Sequence, residues 1–109
     1  MGAAGLFLAI ALLGACVAVP TTTPPPPTLT VDGLVTLVEG TSPTDVMGFT
    51  LRTMDGRLIA FTIGRLDLTG DAFPAGHLRE HIATAQPVRV TYVAAGSSPL
   101  AIRLEDAPP

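Results

Sequence analysis

The chain has no lysine and no tryptophan, and only one cysteine and one tyrosine among its 109 residues. All six basic residues are therefore arginine, and against nine acids they leave a formal charge of −3. That balance argues against a nucleic-acid footprint, which needs clustered positive charge. One cysteine excludes an internal disulfide and any cysteine-rich metal cage. Beyond the N-terminal segment the aromatics are Phe49, Phe61, Phe73 and Tyr92. Three of these fall at inward strand positions, which leaves no stacking platform for single-stranded nucleic acid. No serine or cysteine nucleophile arrangement is visible, and no glycine loop for phosphate.

Charge is also missing locally. From Gly2 to Val19 no side chain is ionisable apart from Cys16, and Leu6–Ala15 is an unbroken run of apolar and small residues. That run suits the apolar region of a signal peptide and falls short of the roughly 20 residues that span a bilayer. It ends in Leu13-Gly14-Ala15-Cys16. This tetrapeptide resembles the lipobox of bacterial lipoproteins: leucine, two small residues, then cysteine. The resemblance implies that residues 1–15 are a signal peptide. The chain would be cut between Ala15 and Cys16, and the Cys16 thiol would carry diacylglycerol. Two or three acyl chains anchor stably where one is marginal. Ordinary secretion with cleavage after Ala18, and an uncleaved anchor, are the other readings. The N-myristoylation pattern fails because position 6 is leucine.

Residues 16–27 read as a lipidated cysteine with a tether behind it. Pro24 to Pro27 are consecutive prolines inside TTTPPPPT. Such a run favours an extended polyproline II rod and holds a domain roughly 30 Å from its anchor.

What remains, residues 28–106, is about 80 residues, enough for one domain with a thin core; residues 107–109 read as a tail, and the chain from Asp106 onward as a frayed end. The first strand is expected over Leu29–Glu39, with Leu29, Val31, Val35 and Leu37 on one face. Gly33 lies on that face too, where a bent barrel strand needs no side chain. Gly40 to Asp45 reads as a loop. Asp55-Gly56 marks a hairpin. A three-residue loop, Met54-Asp55-Gly56, pairs Leu51 with Ile59 and Phe49 with Phe61, so the apolar faces coincide and Gly56 takes the left-handed conformation. Gly64 to Gly76 is a connector, in which Phe73 leads into a short helix. That helix is expected over His77–Gln86, with Leu78, Ile82 and Ala85 inward, and ends at Pro87. Two more strands complete the domain. Val88, Val90 and Tyr92 alternate in the first. Leu100, Ile102 and Leu104 alternate in the second.

Three strands, a helix and two strands make a mainly β chain with one helix. The order resembles the OB-fold, a five-stranded barrel (β-β-β-α-β-β) whose helix lies between strands three and four. An SH3-like barrel or an open α+β sheet is the alternative. The stretches Phe73–His81 and Gln86–Tyr92 are also similar to uncharacterised exported bacterial proteins of this layout, a likeness that implies no activity.

One motif carries candidate chemistry. His77-Leu78-Arg79-Glu80-His81 matches H-x-x-E-H, the pattern of the inverted zinc proteases. Histidines four apart share a helix face, so His77 and His81 could reach one metal, with Glu80 as base. Proteases with this motif are far larger and draw an acidic ligand from a second helix. Here only one helix is evident, and the sole downstream glutamate, Glu105, ends a strand. The plainer reading is a solvated helix face. Asp67 and Asp71 flank Thr69-Gly70, which suits a polar turn better than a calcium loop.

Taken together, the expectation is a cell-envelope lipoprotein, exported and anchored to the outer face of the cytoplasmic membrane or to the outer membrane. Its OB-like barrel acts as a non-catalytic binding or structural module with no cofactor. Its partners are the membrane, through the lipid anchor, and an envelope protein or polymer, not nucleic acid. Cys16 is the lipidation site. His77 and His81 are the candidate metal ligands if the helix binds metal, and a soluble secreted glycan-binding domain is the further alternative.

Overall fold

Alternating apolar residues build five strands that close on themselves. A computed structural model describes residues 24–108. Cys16, the expected signal peptide and most of the expected tether lie outside the described residues. The elements are β1 (Thr28–Ser42), β2 (Asp45–Thr53), β3 (Leu58–Ile63), a 3₁₀ turn (Ala75–His77), α1 (Leu78–Thr84), β4 (Val88–Ala95) and β5 (Ser98–Asp106). The strands form a closed barrel in the order β1-β2-β3-β5-β4. Every neighbouring pair is antiparallel except β3 and β5, which close the barrel in parallel through Thr62–Leu100 and Ile63–Ala101. This is an OB-like barrel, with the helix between the third and fourth strands. Closure excludes the open α+β sheet.

The core is Val35, Phe49, Leu51, Phe61, Phe73, Leu78, Val88, Val90, Ala101 and Leu104. Phe49 and Phe61 are cross-strand partners, and their rings stack at 5.1 Å. Tyr92 meets Phe61 edge-on. The β2–β3 hairpin has the expected register, with Leu51 opposite Ile59. Its turn is closed by the Gly56 amide, which donates to the Thr53 carbonyl at 2.9 Å. Gly56 has φ of +91°.

Two bulges alter which side chains face inward. In β1, pairing with β2 jumps from Val35–Leu51 to Leu37–Thr50, so Thr36 is an extra residue. An extra residue reverses the inward parity of the rest of the strand. Leu37, expected inside, is 50% exposed, while Val38 packs against the core. In β5, pairing with β4 jumps from Tyr92–Ala101 to Thr91–Arg103, so Ile102 is extra. Ala101 and Leu104 are therefore buried instead of a continuous Leu100-Ile102-Leu104 face. Gly40 to Asp45 is also not a free loop. Gly40 pairs with Val46 and Ser42 with Asp45, which leaves only Pro43 and Thr44 at the turn.

Phe73 closes one end of the barrel beside Leu78, and its amide donates to the Leu104 carbonyl at 2.9 Å. The helix is shorter and rotated relative to expectation. It ends at Thr84, and Ala85 is left-handed with φ of 55°. Leu78 and His81 face the core, whereas Ile82 is 42% exposed and Ala85 is exposed. The chain is not frayed at Asp106: that residue ends β5, and the Ala107 amide donates to the Pro87 carbonyl at 3.1 Å.

Candidate functional site

The helix end of the barrel gathers three potential metal ligands. One ring nitrogen each of His77 and His81 and a carboxylate oxygen of Asp106 lie within 4.8 Å of one another. His77 ends the 3₁₀ turn and His81 lies in α1, four residues on, and their rings meet edge-on at 5.0 Å. Phe73 stacks on the His81 ring at 5.0 Å and tilts against His77 at 4.7 Å. His81 is 2% exposed, so the solvated-face reading does not hold for it. Glu80, by contrast, is exposed.

Both ring nitrogens of His81 and one of His77 already have polar neighbours. His81 Nδ1 lies 2.9 Å from the Gln86 carbonyl. A carbonyl only accepts, so the proton of this bond sits on Nδ1. His81 Nε2 then faces Asp106 Oδ1 at 2.8 Å. His77 Nδ1 lies 3.1 Å from Glu80 Oε2. Glu80 thus orients the neighbouring ring, which is a different position from that of a base acting on a metal-bound water. Asp106 is the member of this cluster that sequence reasoning missed, because it read as frayed. Glu105, the downstream glutamate, is turned away: its Oε1 lies 3.2 Å from Arg103 Nε.

Two other surfaces carry polar or apolar features. A groove is lined by Thr30, Asp32, Thr53, Asp55, Arg57 and Arg89, among others. Its charges are already paired. Arg89 donates twice to the Asp32 carboxylate, at 2.9 and 3.0 Å, and Arg57 Nε donates to Asp55 at 3.0 Å. The Thr53 hydroxyl, which also donates to Asp55, does most to hold that carboxyl below its ordinary range, with Arg57 assisting. Asp67 is likewise held low, first by the Thr69 hydroxyl at 2.7 Å and the Thr69 amide, then by Arg103. Asp67 therefore serves a turn, as its sequence context implied.

The second surface is the outer face of β1–β2–β3. Leu34, Arg52 and Leu58 form one cross-strand row, and Leu37, Thr50 and Ala60 the next. Leu58 is 67% exposed. The Thr36 bulge is what turns Leu37 outward into this row.

No protein-family model matches the chain, and no curated protein or solved structure matches it. Among the described residues no helix is long and apolar enough to cross a membrane.

Proposed function

We propose that the chain is a lipoprotein of the cell envelope whose OB-like barrel is a non-catalytic binding module. Anchoring rests on Leu13-Gly14-Ala15-Cys16, with the proline run behind it that ends where β1 begins. Binding rests on one observation above all: Leu37 and Leu58 stand exposed in adjoining rows of the β1–β2–β3 face. Strands 2 and 3 form the ligand face of OB-folds generally. Exposed leucines with Arg52 as the one cation in these two rows fit a partner in the envelope, protein or polymer, better than a polyanion, which needs clustered positive charge.

The anchor is tested by mass spectrometry of the mature N-terminus, with fractionation of a Cys16→Ala variant. A diacylated or triacylated Cys16, and loss of the variant from the membrane fraction, are expected. Unchanged processing and attachment of the variant would reject the lipoprotein. The binding face is tested by envelope cross-linking with wild type and with a Leu37→Arg/Leu58→Arg pair. Adducts present in wild type and missing in the folded variant support the face; identical adducts in both reject it.

A further inference from the structure

We propose that His77, His81 and Asp106 form a zinc site that joins the helix to the end of the last strand. The proposal is independent of the anchor and of the β1–β2–β3 face. It begins from a proton count. The Gln86 carbonyl fixes the His81 proton on Nδ1, and in the neutral ring this leaves a lone pair on Nε2. That lone pair looks at an Asp106 carboxylate oxygen 2.8 Å away. Two acceptors at that distance require a cation between them. A proton meets the need at this distance, and a metal ion meets it once the pair opens to the roughly 3.3 Å that two zinc ligands require. A proton uses only His81 and Asp106. A ring nitrogen of His77, within 4.8 Å of both, completes a set that only a metal would use.

The surroundings match what a metal ligand needs. A ligating histidine almost always donates its other N–H to a carbonyl or carboxylate, which fixes its tautomer and orientation. His81 does this to Gln86, and His77 Nδ1 lies 3.1 Å from the Glu80 carboxylate. Phe73 supplies an apolar wall against both rings. Tetrahedral zinc with ligands at about 2.0–2.1 Å separates them by roughly 3.3 Å. The present ligand atoms lie within 4.8 Å, so small side-chain rotations suffice. The two ligands that must move have room: the Asp106 side chain is 72% exposed and that of His77 is 35% exposed. His81, the buried one, is already in place. Two imidazoles and one carboxylate are the three-ligand set that zinc sites with an open position use, the fourth place going to water. His77 and Glu80 also line a cleft with Pro43, Thr44, Pro74 and Gly76.

The experiment uses the full chain, purified without a histidine tag and stripped with a chelator. Zinc chloride is titrated calorimetrically and the thermal midpoint is followed by circular dichroism. One zinc per chain is expected, with a midpoint raised by on the order of 10 °C at a hundredfold excess over Kd. Asp106→Asn, at an exposed side chain, and His77→Ala, at a half-buried one, should keep the apo spectrum and each weaken zinc at least about tenfold. No zinc uptake by the wild type would overturn the proposal. So would uptake that both variants retain at unchanged affinity, since the ion would then sit elsewhere, for example at Cys16.

Discussion

At the scale of single residues, Gly33 sits where three strands of the barrel meet. It is the one position of β1 paired on both edges, with Thr53 of β2 and Val88 of β4. A Cβ there would sit 2.4 Å from the Arg52 carbonyl oxygen and 2.9 Å from Leu51 Cγ. The first of these is backbone within a paired strand and cannot rotate aside. Gly33→Ala must therefore part β1 from β2 at the bend. The expected cost is about 2–4 kcal/mol, in the range of core overpacking and its strain. Urea unfolding, observed by far-ultraviolet circular dichroism, measures it, since the chain has no tryptophan to report. A change below about 0.5 kcal/mol, the usual size for an unimportant surface site, would show that the strands can separate freely there.

At the scale of elements, the helix ends on a strained residue. Ala85 has φ of 55° and ψ of 34°, a region that costs an L-residue roughly 1 kcal/mol and that glycine enters freely. Its methyl is exposed, so little packing is lost by removing it. Ala85→Gly should raise stability by about 0.5 kcal/mol, after allowing for the greater freedom of glycine in the unfolded chain. The same urea titration reads this as a higher midpoint at unchanged slope, and a lower midpoint would refute it. The elements also show what could be read in advance. The β2–β3 register was legible because Phe49–Phe61 and Leu51–Ile59 bring two apolar faces into coincidence, a match visible in the residue order itself. The face of β1 was legible up to its bulge, and that of β5 only beyond it, where Leu104 is buried as expected. Nothing in Thr36 or Ile102 marks either as an extra residue, yet each reverses the parity of the remainder of its strand. The second bulge also decides the candidate site. Without the extra Ile102, the ladder from Ala95–Ser98 would bring Glu105 opposite Val88; with it, Asp106 takes that place. The inward turn of His81 was hidden for a related reason. Apolar spacing ranks Ile82 above a histidine, and it cannot see the Gln86 carbonyl and the Asp106 carboxylate that let a polar ring be buried.

At the scale of the whole molecule, the charges that stabilise the barrel are arginine–carboxylate pairs and hydroxyl–carboxylate turns. With no lysine present, the paired cations are arginines. Arg89 and Arg103 are held even above their ordinary high range, Arg89 by Asp32 and Arg103 by Glu105. Their pairs thus persist far into alkaline solution, and the sensitive limb is the acid one. Asp55 and Asp67 both have folded-state values below the ordinary 3.8. A group depressed in the folded state contributes stability above its unfolded value and loses that contribution as pH falls through the folded one. The unfolded chain takes up those protons first, so stability should decline below about pH 4. Both carboxylates are solvent-exposed, which keeps each contribution modest. Comparing urea midpoints at about pH 5.5 and about pH 3 tests this directly, with Asp55→Asn/Asp67→Asn as the partner chain. The wild type should lose more on acidification than the double variant, because the variant has no depressed carboxylate left at either turn. The variant should already be the less stable of the two at the higher pH, where both aspartates are ionised and bonded. If the two proteins fall in parallel, the acid limb belongs to other groups, and the turns at Thr53–Arg57 and Asp67–Thr69 hold by their backbone bonds alone.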